Sequence, residues 1–201
     1  MMKSWEDYLI PGTNILKNKL GIINQEELTR KEAEIVIEKL TALIYVGGMN
    51  GNFDAKHLCA IHHFLFSDLY DFAGIYREVQ IYKITSFLSP EKIPLELDKL
   101  LEFAKQKEVN TNSLYEIASF LADFYYELIR IHPFREGNGR TIREFLREFT
   151  SYKFPDYQLD LSKIDKKNFL IGVVDHDTYP SLLIYEIYNA LTKVSKKALS
   201  K

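Results

Sequence analysis

One stretch of the chain indicates both its fold and its chemistry: His132-Pro133-Phe134-Arg135-Glu136-Gly137-Asn138-Gly139-Arg140-Thr141-Ile142-Arg143. It combines a titratable base, a carboxylate, glycines and arginines within a few positions. Arginine forks and backbone N–H groups hold phosphate oxygens, and a histidine can take a proton from a hydroxyl. The stretch therefore predicts a site that binds a nucleotide's phosphates and activates a hydroxyl.

Apolar residues recur at helical spacing on both sides of this motif. Before it they are Leu114, Ile117, Ala118, Leu121, Phe124, Tyr125 and Leu128, and after it Ile142, Phe145, Leu146 and Phe149. This spacing predicts one helix that runs up to Arg130 and another that follows the motif. Pro133 and the glycines interrupt the pattern, which places Gly137-Asn138-Gly139 at the start of the second helix. Unpaired N–H groups and the positive end of the dipole bind anions there.

The charged residues of the motif suggest separate roles. Most of the chain's arginines fall around it, namely Arg130, Arg135, Arg140, Arg143 and Arg147. A guanidinium fits phosphate oxygens in a bidentate way that a lysine does not. Glu136 is the candidate ligand for Mg²⁺, a hard cation that takes carboxylate and phosphate oxygens. A histidine titrates near neutral pH, so His132 is the candidate base.

The motif resembles the signature of the Fic family, His-Pro-Phe-x-Asp/Glu-Gly-Asn-Gly-Arg-x-x-Arg, and departs from it at no position. The resemblance extends to 8–22, which looks like the family's entry segment, and to 53–58 and 70–74, which look like its early helix and following turn. It implies a mostly α Fic fold, a helical bundle with a short β-hairpin flap near residues 79–89. It also implies one Fic-like domain over 1–201, with a core of about 50–192 and an N-terminal extension, 1–49.

The resemblance further implies protein adenylylation, in which AMP passes from Mg²⁺–ATP to a tyrosine, threonine or serine hydroxyl of a target protein. By that resemblance His132 is the general base and Phe134 anchors the loop. Glu136 holds Mg²⁺. The phosphates lie against the remaining positions of the motif, Gly137, Asn138, Gly139, Arg140 and Arg143. Four residues would belong to the flap that holds the target by main-chain pairing, namely Ile81, Tyr82, Lys83 and Phe87.

Two other functions stay open at this point. The Doc branch of the superfamily resembles His-Pro-Phe-x-x-x-Asn-Lys-Arg and transfers a phosphate as a kinase does. Gly139, where that branch has lysine, favours AMP transfer. A catalytically silent binding module is the second alternative, and the intact His132, Glu136, Arg140 and Arg143 argue against it.

The regulation and partners are also implied by the resemblance. Many Fic proteins carry an inhibitory Ser/Thr-x-x-x-Glu-Gly/Asn helix whose glutamate pairs with the second arginine. This pattern occurs in neither terminal segment. The chain therefore resembles the toxins and host-targeted effectors whose inhibitory helix lies on a separate small antitoxin. Type II topoisomerases are the first predicted target and host GTPases the second. The sequence predicts no oligomeric state.

Composition sets the broad class. The chain has 201 residues, a net charge of −2 and one cysteine, Cys59. No segment has the length and apolarity of a membrane span or a signal peptide, and the charge implies no nucleic-acid or membrane surface. A cytoplasmic protein is expected, or one secreted into a host cell if it is an effector. A single cysteine excludes an internal disulfide.

Capping residues and turns place the remaining helices at 24–46, 54–70, 94–108, 163–174 and 180–191, followed by a frayed basic end, 193–201. Asn24 is the candidate cap of the first of these helices, which ends at Gly47-Gly48. His62 and His63 are adjacent, and adjacent positions of a helix do not share a face, which disfavours a zinc site. The triplet 175–177 is expected to be a turn at a helix junction.

Overall fold

The structure is a computed structural model that describes residues 4–82 and 87–194. Helices dominate these ranges: α1 Gln25–Val46, α2 Ala55–Phe66, α3 Ile93–Gln106, α4 Leu114–Ile131, α5 Asn138–Lys153, α6 Lys166–Val174 and α7 Ser181–Ala190. Strands β1 Tyr157–Leu159 and β2 Leu191–Lys193 form a small antiparallel sheet in which Gln158 lies opposite Thr192. The prediction of a mostly α fold is confirmed.

Side-chain caps explain why the helices begin where they do. The side chain of Asn24 accepts a hydrogen bond from the N–H of Glu27 at 2.9 Å, as predicted for the start of α1. Asp54 caps α2 in the same way. An oxygen at this position satisfies an N–H group that the helix itself leaves unpaired. Helix α1 ends at Gly47, whose φ of 88° lies in the left-handed region that favours glycine.

Several predicted helix boundaries were wrong, among them the end of the third helix, which lies at Gln106 and not at residue 108. Helix α2 ends at Phe66 and not at residue 70, because residues 67–70 turn back toward the helix end. Helix α6 begins at Lys166 and not at residue 163, since the side chain of Asp165 caps it. The last helix stops at Ala190, where the chain enters β2. Lys193 therefore lies in a strand opposite Tyr157 and not in a frayed end, and residues 195–201 lie outside the described ranges.

The core forms around α4 and α5, the two helices that flank the motif. Helix α4 packs against α3, α5 and α7, and α5 also packs against α2. The side chains between them are fully buried, including those of Leu121, Leu128, Ile142 and Phe145. Burying such a side chain stabilises the fold by about 1.5–3 kcal/mol. The loop between α4 and α5 is therefore held on both sides by helices that belong to the buried core.

The predicted flap begins and ends within the described ranges. The N–H of Phe87 donates to the carbonyl of Ile81 at 3.4 Å, and the side chain of Gln80 donates to the carbonyl of Phe87 at 2.7 Å. The N–H of Leu88 donates to the carbonyl of Arg130 at the end of α4. Lys83 lies outside the described residues. The two ends of the segment therefore meet each other and the helix that leads into the motif.

Candidate active site

The motif forms a short loop that joins α4 to α5, as predicted. It opens with His132, whose φ of 49° is left-handed and whose N–H donates to the carbonyl of Leu128. It closes with Gly137, also left-handed, after which Asn138 begins α5. A left-handed conformation is uncommon for a residue other than glycine and is found at sites that the surrounding structure constrains. His132 and Gly137 therefore mark the two turns of the loop that leads into α5.

Gly137 is required for two reasons. Its φ of 81° is strained for any residue with a side chain. A Cβ at this position would also lie 2.4 Å from Cζ of Phe66. The main chain of the loop therefore lies directly on the Phe66 ring, and the first N–H groups of α5 are set in one place.

Asn138 shapes the loop from inside. Its side chain is buried, accepts a hydrogen bond from the N–H of Phe134 at 2.8 Å and donates to the carbonyl of Phe134 at 2.7 Å. Both polar atoms of this side chain are therefore bonded to the main chain of the loop. The Phe134 ring is completely buried, and its role as the anchor of the loop stays a prediction.

His62 is a loop contact that the sequence did not reveal. Its Nδ1 accepts from the N–H of Gly74 at 2.7 Å, so Nε2 carries the hydrogen and donates to the carbonyl of Glu136 at 2.9 Å. Its ring stacks on Phe134 with centroids 3.8 Å apart. Burial lowers the pKa of His62 to about 4, which keeps the imidazole neutral and this hydrogen-bond pattern intact near pH 7.

The imidazole of His132 is held on two sides. Its Nδ1 lies 3.3 Å from the carbonyl of Ile129, and because a carbonyl only accepts, Nδ1 carries the hydrogen and the basic lone pair lies on Nε2. The ring of Phe87 stacks on the imidazole with centroids 3.8 Å apart and planes 6° from parallel. The main-chain carbonyl of His132 accepts from Nε of Arg77 at 2.7 Å. This arrangement suits a base that must present one nitrogen in a fixed direction.

Glu136 offers an oxygen ligand beside the helix start. Its carboxylate is half-exposed, and Oε1 accepts from the N–H of Gly137 at 2.9 Å and lies 3.6 Å from Arg140. Among the described residues no group of three histidine, cysteine, aspartate or glutamate side chains could hold a metal ion. A Mg²⁺ ion at Glu136 fits a site of this kind, in which one carboxylate is joined by phosphate oxygens and water.

Only two of the five clustered arginines reach the start of α5. Arg140 pairs with Glu32 of α1 at 2.5 Å, and the hydroxyl of Tyr70 donates to the other oxygen of Glu32. The guanidinium of Arg143 lies beside the buried hydroxyl of Tyr125 and next to Gly139, where a Cβ would come within 3.2 Å of Nη1. Both arginines therefore stand near the N–H groups of the helix start.

The other three arginines serve the fold. Arg130 pairs with Glu127 on the surface of α4, and Arg147 forms a buried pair with Glu144. The Arg135 guanidinium is buried 3.7 Å from the ring of Trp5, a stacking that covers it with the N-terminal segment. The sequence cluster of arginines thus overstates the positive charge that a ligand would meet.

Comparisons with known proteins agree with this geometry. The model of the Fic/DOC family matches residues 52–150, which span α2 and end within α5. The probable protein adenylyltransferase y4lH of Sinorhizobium fredii is 34% identical over 167 residues, which cover 82% of this chain and 84% of that protein. The chain belongs to the Fic/DOC family.

Further Fic proteins match over most of the chain. Protein adenylyltransferase VbhT of Bartonella schoenbuchensis is 30% identical over 164 residues, which are 81% of this chain but only 34% of that larger protein. The crystal structure of the effector BepC of Bartonella tribocorum with bound AMPPNP superposes with a TM-score of 0.80 at 25% identity, over 94% of this chain and 98% of that one. The predicted membership of the Fic family is confirmed.

The predicted flap residues of this Fic domain face different surroundings. The side chain of Ile81 is buried, so only its main chain could meet a target, whereas Tyr82 is 73% exposed. Phe87 is partly buried against His132.

No helix in the described ranges has the length and apolarity to cross a membrane.

Proposed function

We propose that this chain transfers AMP from Mg²⁺–ATP to a hydroxyl side chain of a target protein. The observation that carries the proposal is the motif loop, in which His132 keeps its hydrogen on Nδ1 and Glu136, Arg140 and Arg143 lie at or beside the start of α5. The curated relatives that match most of the chain are named protein adenylyltransferases, so an enzyme of this class is the plain conclusion at the level of the family.

The reaction follows from the roles of these groups. The target oxygen attacks the α-phosphorus of ATP, and its proton passes to Nε2 of His132. The new bond joins the target oxygen to the α-phosphorus, the bond to the β-phosphate breaks, and pyrophosphate leaves. The N–H groups of the helix start and the two arginines stabilise the charge that gathers on the phosphate oxygens. Mg²⁺ bound at Glu136 would neutralise part of the same charge.

Gly139 favours AMP transfer over phosphate transfer. It lies at the start of α5 and directly against the guanidinium of Arg143. A lysine there, as in the Doc branch, would crowd Arg143 and add a second cation beside it. Without that side chain, Arg143 is open to a terminal phosphate, so that ATP can lie with its α-phosphorus toward His132.

ATP labelled at different phosphates separates the three functions. Label from the α-phosphate that stays on protein indicates AMP transfer, and label from the γ-phosphate alone indicates phosphorylation. Binding without transfer of either label indicates a silent module. The same assay on Gly139→Lys tests the role of Gly139, because loss of α-label with retained ATP binding is expected.

We also propose that the chain is active alone and is silenced by a separate small protein through Arg143. Within the described residues no carboxylate lies within ion-pair distance of Arg143, whereas Arg140 is already paired with Glu32. A glutamate from a partner helix could therefore take Arg143 away from the terminal phosphate. AMP transfer by the purified chain without any partner is the test. A chain that becomes active only when a terminus is removed would place the inhibitory element within it.

The proposed targets are type II topoisomerases first and host GTPases second, as the resemblance implies. The match to an effector that the VirB system translocates supports the second class. Lysates of bacteria and of animal cells are each incubated with the chain and α-labelled ATP, with His132→Ala as control. Label on a topoisomerase subunit in the bacterial lysate supports the first target, and label on a small GTPase in the animal lysate supports the second.

A further inference from the structure

Arg77 is the most heavily engaged buried cation among the described residues. Its side chain is 2% exposed and forms hydrogen bonds through all three of its nitrogens. Every one of these bonds goes to a main-chain carbonyl, and no salt bridge to a carboxylate accompanies them within the described ranges. Burying a charge in this way is costly unless its donors are all satisfied. An apolar side chain at this position would leave these carbonyls without the donors that Arg77 supplies.

The partners of Arg77 belong to two different elements. Nη1 donates to the carbonyl of Val79 at 2.8 Å and Nη2 to that of Leu88, at the two ends of the flap segment. Nε donates to the carbonyl of His132 at 2.7 Å, and Nη2 also reaches that of Ile131 at 3.2 Å. The N–H of Arg77 donates to the carbonyl of Pro133. One residue therefore joins both ends of the flap to the start of the motif loop.

The left-handed turn at His132 makes these hydrogen bonds of Arg77 possible. Helix α4 ends at Ile131, so the carbonyls of Ile131 and His132 have no partner within the helix. They also lie at the negative end of the helix dipole, which favours a cation. The planar fork of arginine can donate to several carbonyls in fixed directions, whereas a lysine is a point donor.

The residues that Arg77 holds include or adjoin the two stacked rings, those of Phe87 and His132. The backbone of Leu88, which Arg77 holds, is adjacent to Phe87, and the Phe87 ring stacks on the imidazole of His132 at 3.8 Å. Arg77 therefore fixes the backbone of both stacked residues, one directly and one through its neighbour. A shift of the main chain at His132 or at Leu88 would break one of these hydrogen bonds.

We propose that Arg77 is a positioning residue for the transfer reaction, which holds the imidazole of His132 beneath Phe87 by tying the flap ends to the motif loop. The part that concerns turnover rests on the proposed function, whereas the part that concerns the ring geometry does not. Loss of a stacked aromatic contact of this kind changes a rate by about two- to tenfold. Arg77→Lys should lower kcat by about that factor and leave KM for ATP nearly unchanged, because Arg77 touches no residue of the phosphate site.

A spectroscopic reading tests the geometry without activity. In protein labelled with [¹³C]histidine, the Cε1–H resonance of His132 should be shifted by the ring current of Phe87. Phe87→Leu should abolish the shift and Arg77→Lys should reduce it. Arg130→Lys, a change at an exposed surface arginine whose side chain pairs with Glu127, should leave the shift and kcat as in the wild type. An unchanged His132 resonance in Arg77→Lys would overturn the proposal.

Two further measurements separate positioning from a purely structural role. Because both substitutions act on one stack, the losses in kcat for Arg77→Lys and Phe87→Leu should be less than additive when combined, and additive losses would contradict the proposal. If Arg77→Lys does not fold, the wild type labelled with [¹⁵N]arginine is measured instead. The guanidinium N–H groups of Arg77 should then exchange slowly with water, and rapid exchange would overturn the proposal. If the wild type transfers no AMP but shows these spectra, the proposed function fails and the geometry stands.

Discussion

The ring of Phe87 covers the imidazole of His132, with the centroids 3.8 Å apart and the planes 6° from parallel. This contact links the flap segment to His132, the candidate general base. A stacked aromatic pair is worth about 0.5–1.5 kcal/mol beyond the area that it buries. The flap therefore contributes to the orientation of the base as well as to any contact with a target.

Replacing Phe87 should slow transfer without weakening nucleotide binding. Phe87→Leu keeps an apolar side chain but removes the stack, so turnover should fall by about two- to tenfold, the equivalent of the stacking energy. Phe103→Leu, at an exposed aromatic residue of α3, is the matched control and should retain full turnover. Equal rates for Phe87→Leu and wild type would mean that the stack does not orient His132.

The left-handed conformation of Gly137 and its close contact with Phe66 are two separate reasons for a glycine, and their costs can be measured separately. Gly137→Ala forces a left-handed alanine, at about 1–2 kcal/mol, and brings its Cβ into the Phe66 ring, at about a further 1–3 kcal/mol. Gly12→Ala has a similar φ of 75° but no atom within 4 Å, so it should show the first cost alone. Chemical denaturation of both variants gives the difference, and ATP affinity should fall only for Gly137→Ala. Equal losses of stability would show that contact with Phe66 is unimportant.

Glu136 should govern the dependence on Mg²⁺. Glu136→Ala removes the carboxylate beside the helix start, and turnover should fall while the Mg²⁺ concentration for half-maximal activity rises. Glu127→Ala, at a surface carboxylate that pairs with Arg130, should match the wild type in both respects. A Mg²⁺ titration of the three proteins decides the point, since an unaltered midpoint in Glu136→Ala would place the metal ligand elsewhere.

His62 should make the fold sensitive to mild acid. Burial lowers its pKa to about 4 in the folded chain, below the value near 6.5 of the unfolded chain, so the unfolded chain binds the proton first as the pH falls. The contribution of His62 to the free energy of unfolding is therefore fully present above about pH 6.5. It declines toward pH 4 by at most about 1.4 kcal/mol per pH unit.

Substitution isolates this effect. His62→Gln should be less stable at pH 7 and should lose this part of the decline, whereas His63→Gln, at the exposed neighbour, should keep it. Urea unfolding at several pH values between 4 and 7 measures the difference. Parallel stability curves for His62→Gln and wild type would contradict the assigned pKa.

The sequence predicted the parts of the site that depend on local chemistry. The cap at Asn24, the stop at Gly47 and the start of α5 after Gly137 each follow from the preferences of single residues and their neighbours. The fold family followed from the motif itself. These features need no knowledge of distant contacts, which is why they could be read from one chain.

The supporting contacts could not be predicted because they join distant residues. His62 bonds to the carbonyl of Glu136 across 74 positions, and Arg77 to that of His132 across 55. Their partners are main-chain carbonyls, which every residue carries, so the sequence gives no sign of the pairing. The arginine cluster misled partly for the same reason, since the ring of Trp5, which is distant in sequence, covers Arg135, whereas the partner of Arg147 is the nearby Glu144 of the same helix.

The most direct test of the account concerns His132. His132→Ala removes the proposed base but none of the N–H groups, carboxylates or arginines of the phosphate site, so it should bind ATP as the wild type does. General-base assistance is typically worth about 10²–10⁴-fold. With α-labelled ATP and a bacterial lysate as the source of target, transfer by His132→Ala should fall by at least about 100-fold at an unchanged ATP affinity. Transfer at the wild-type rate would contradict the account.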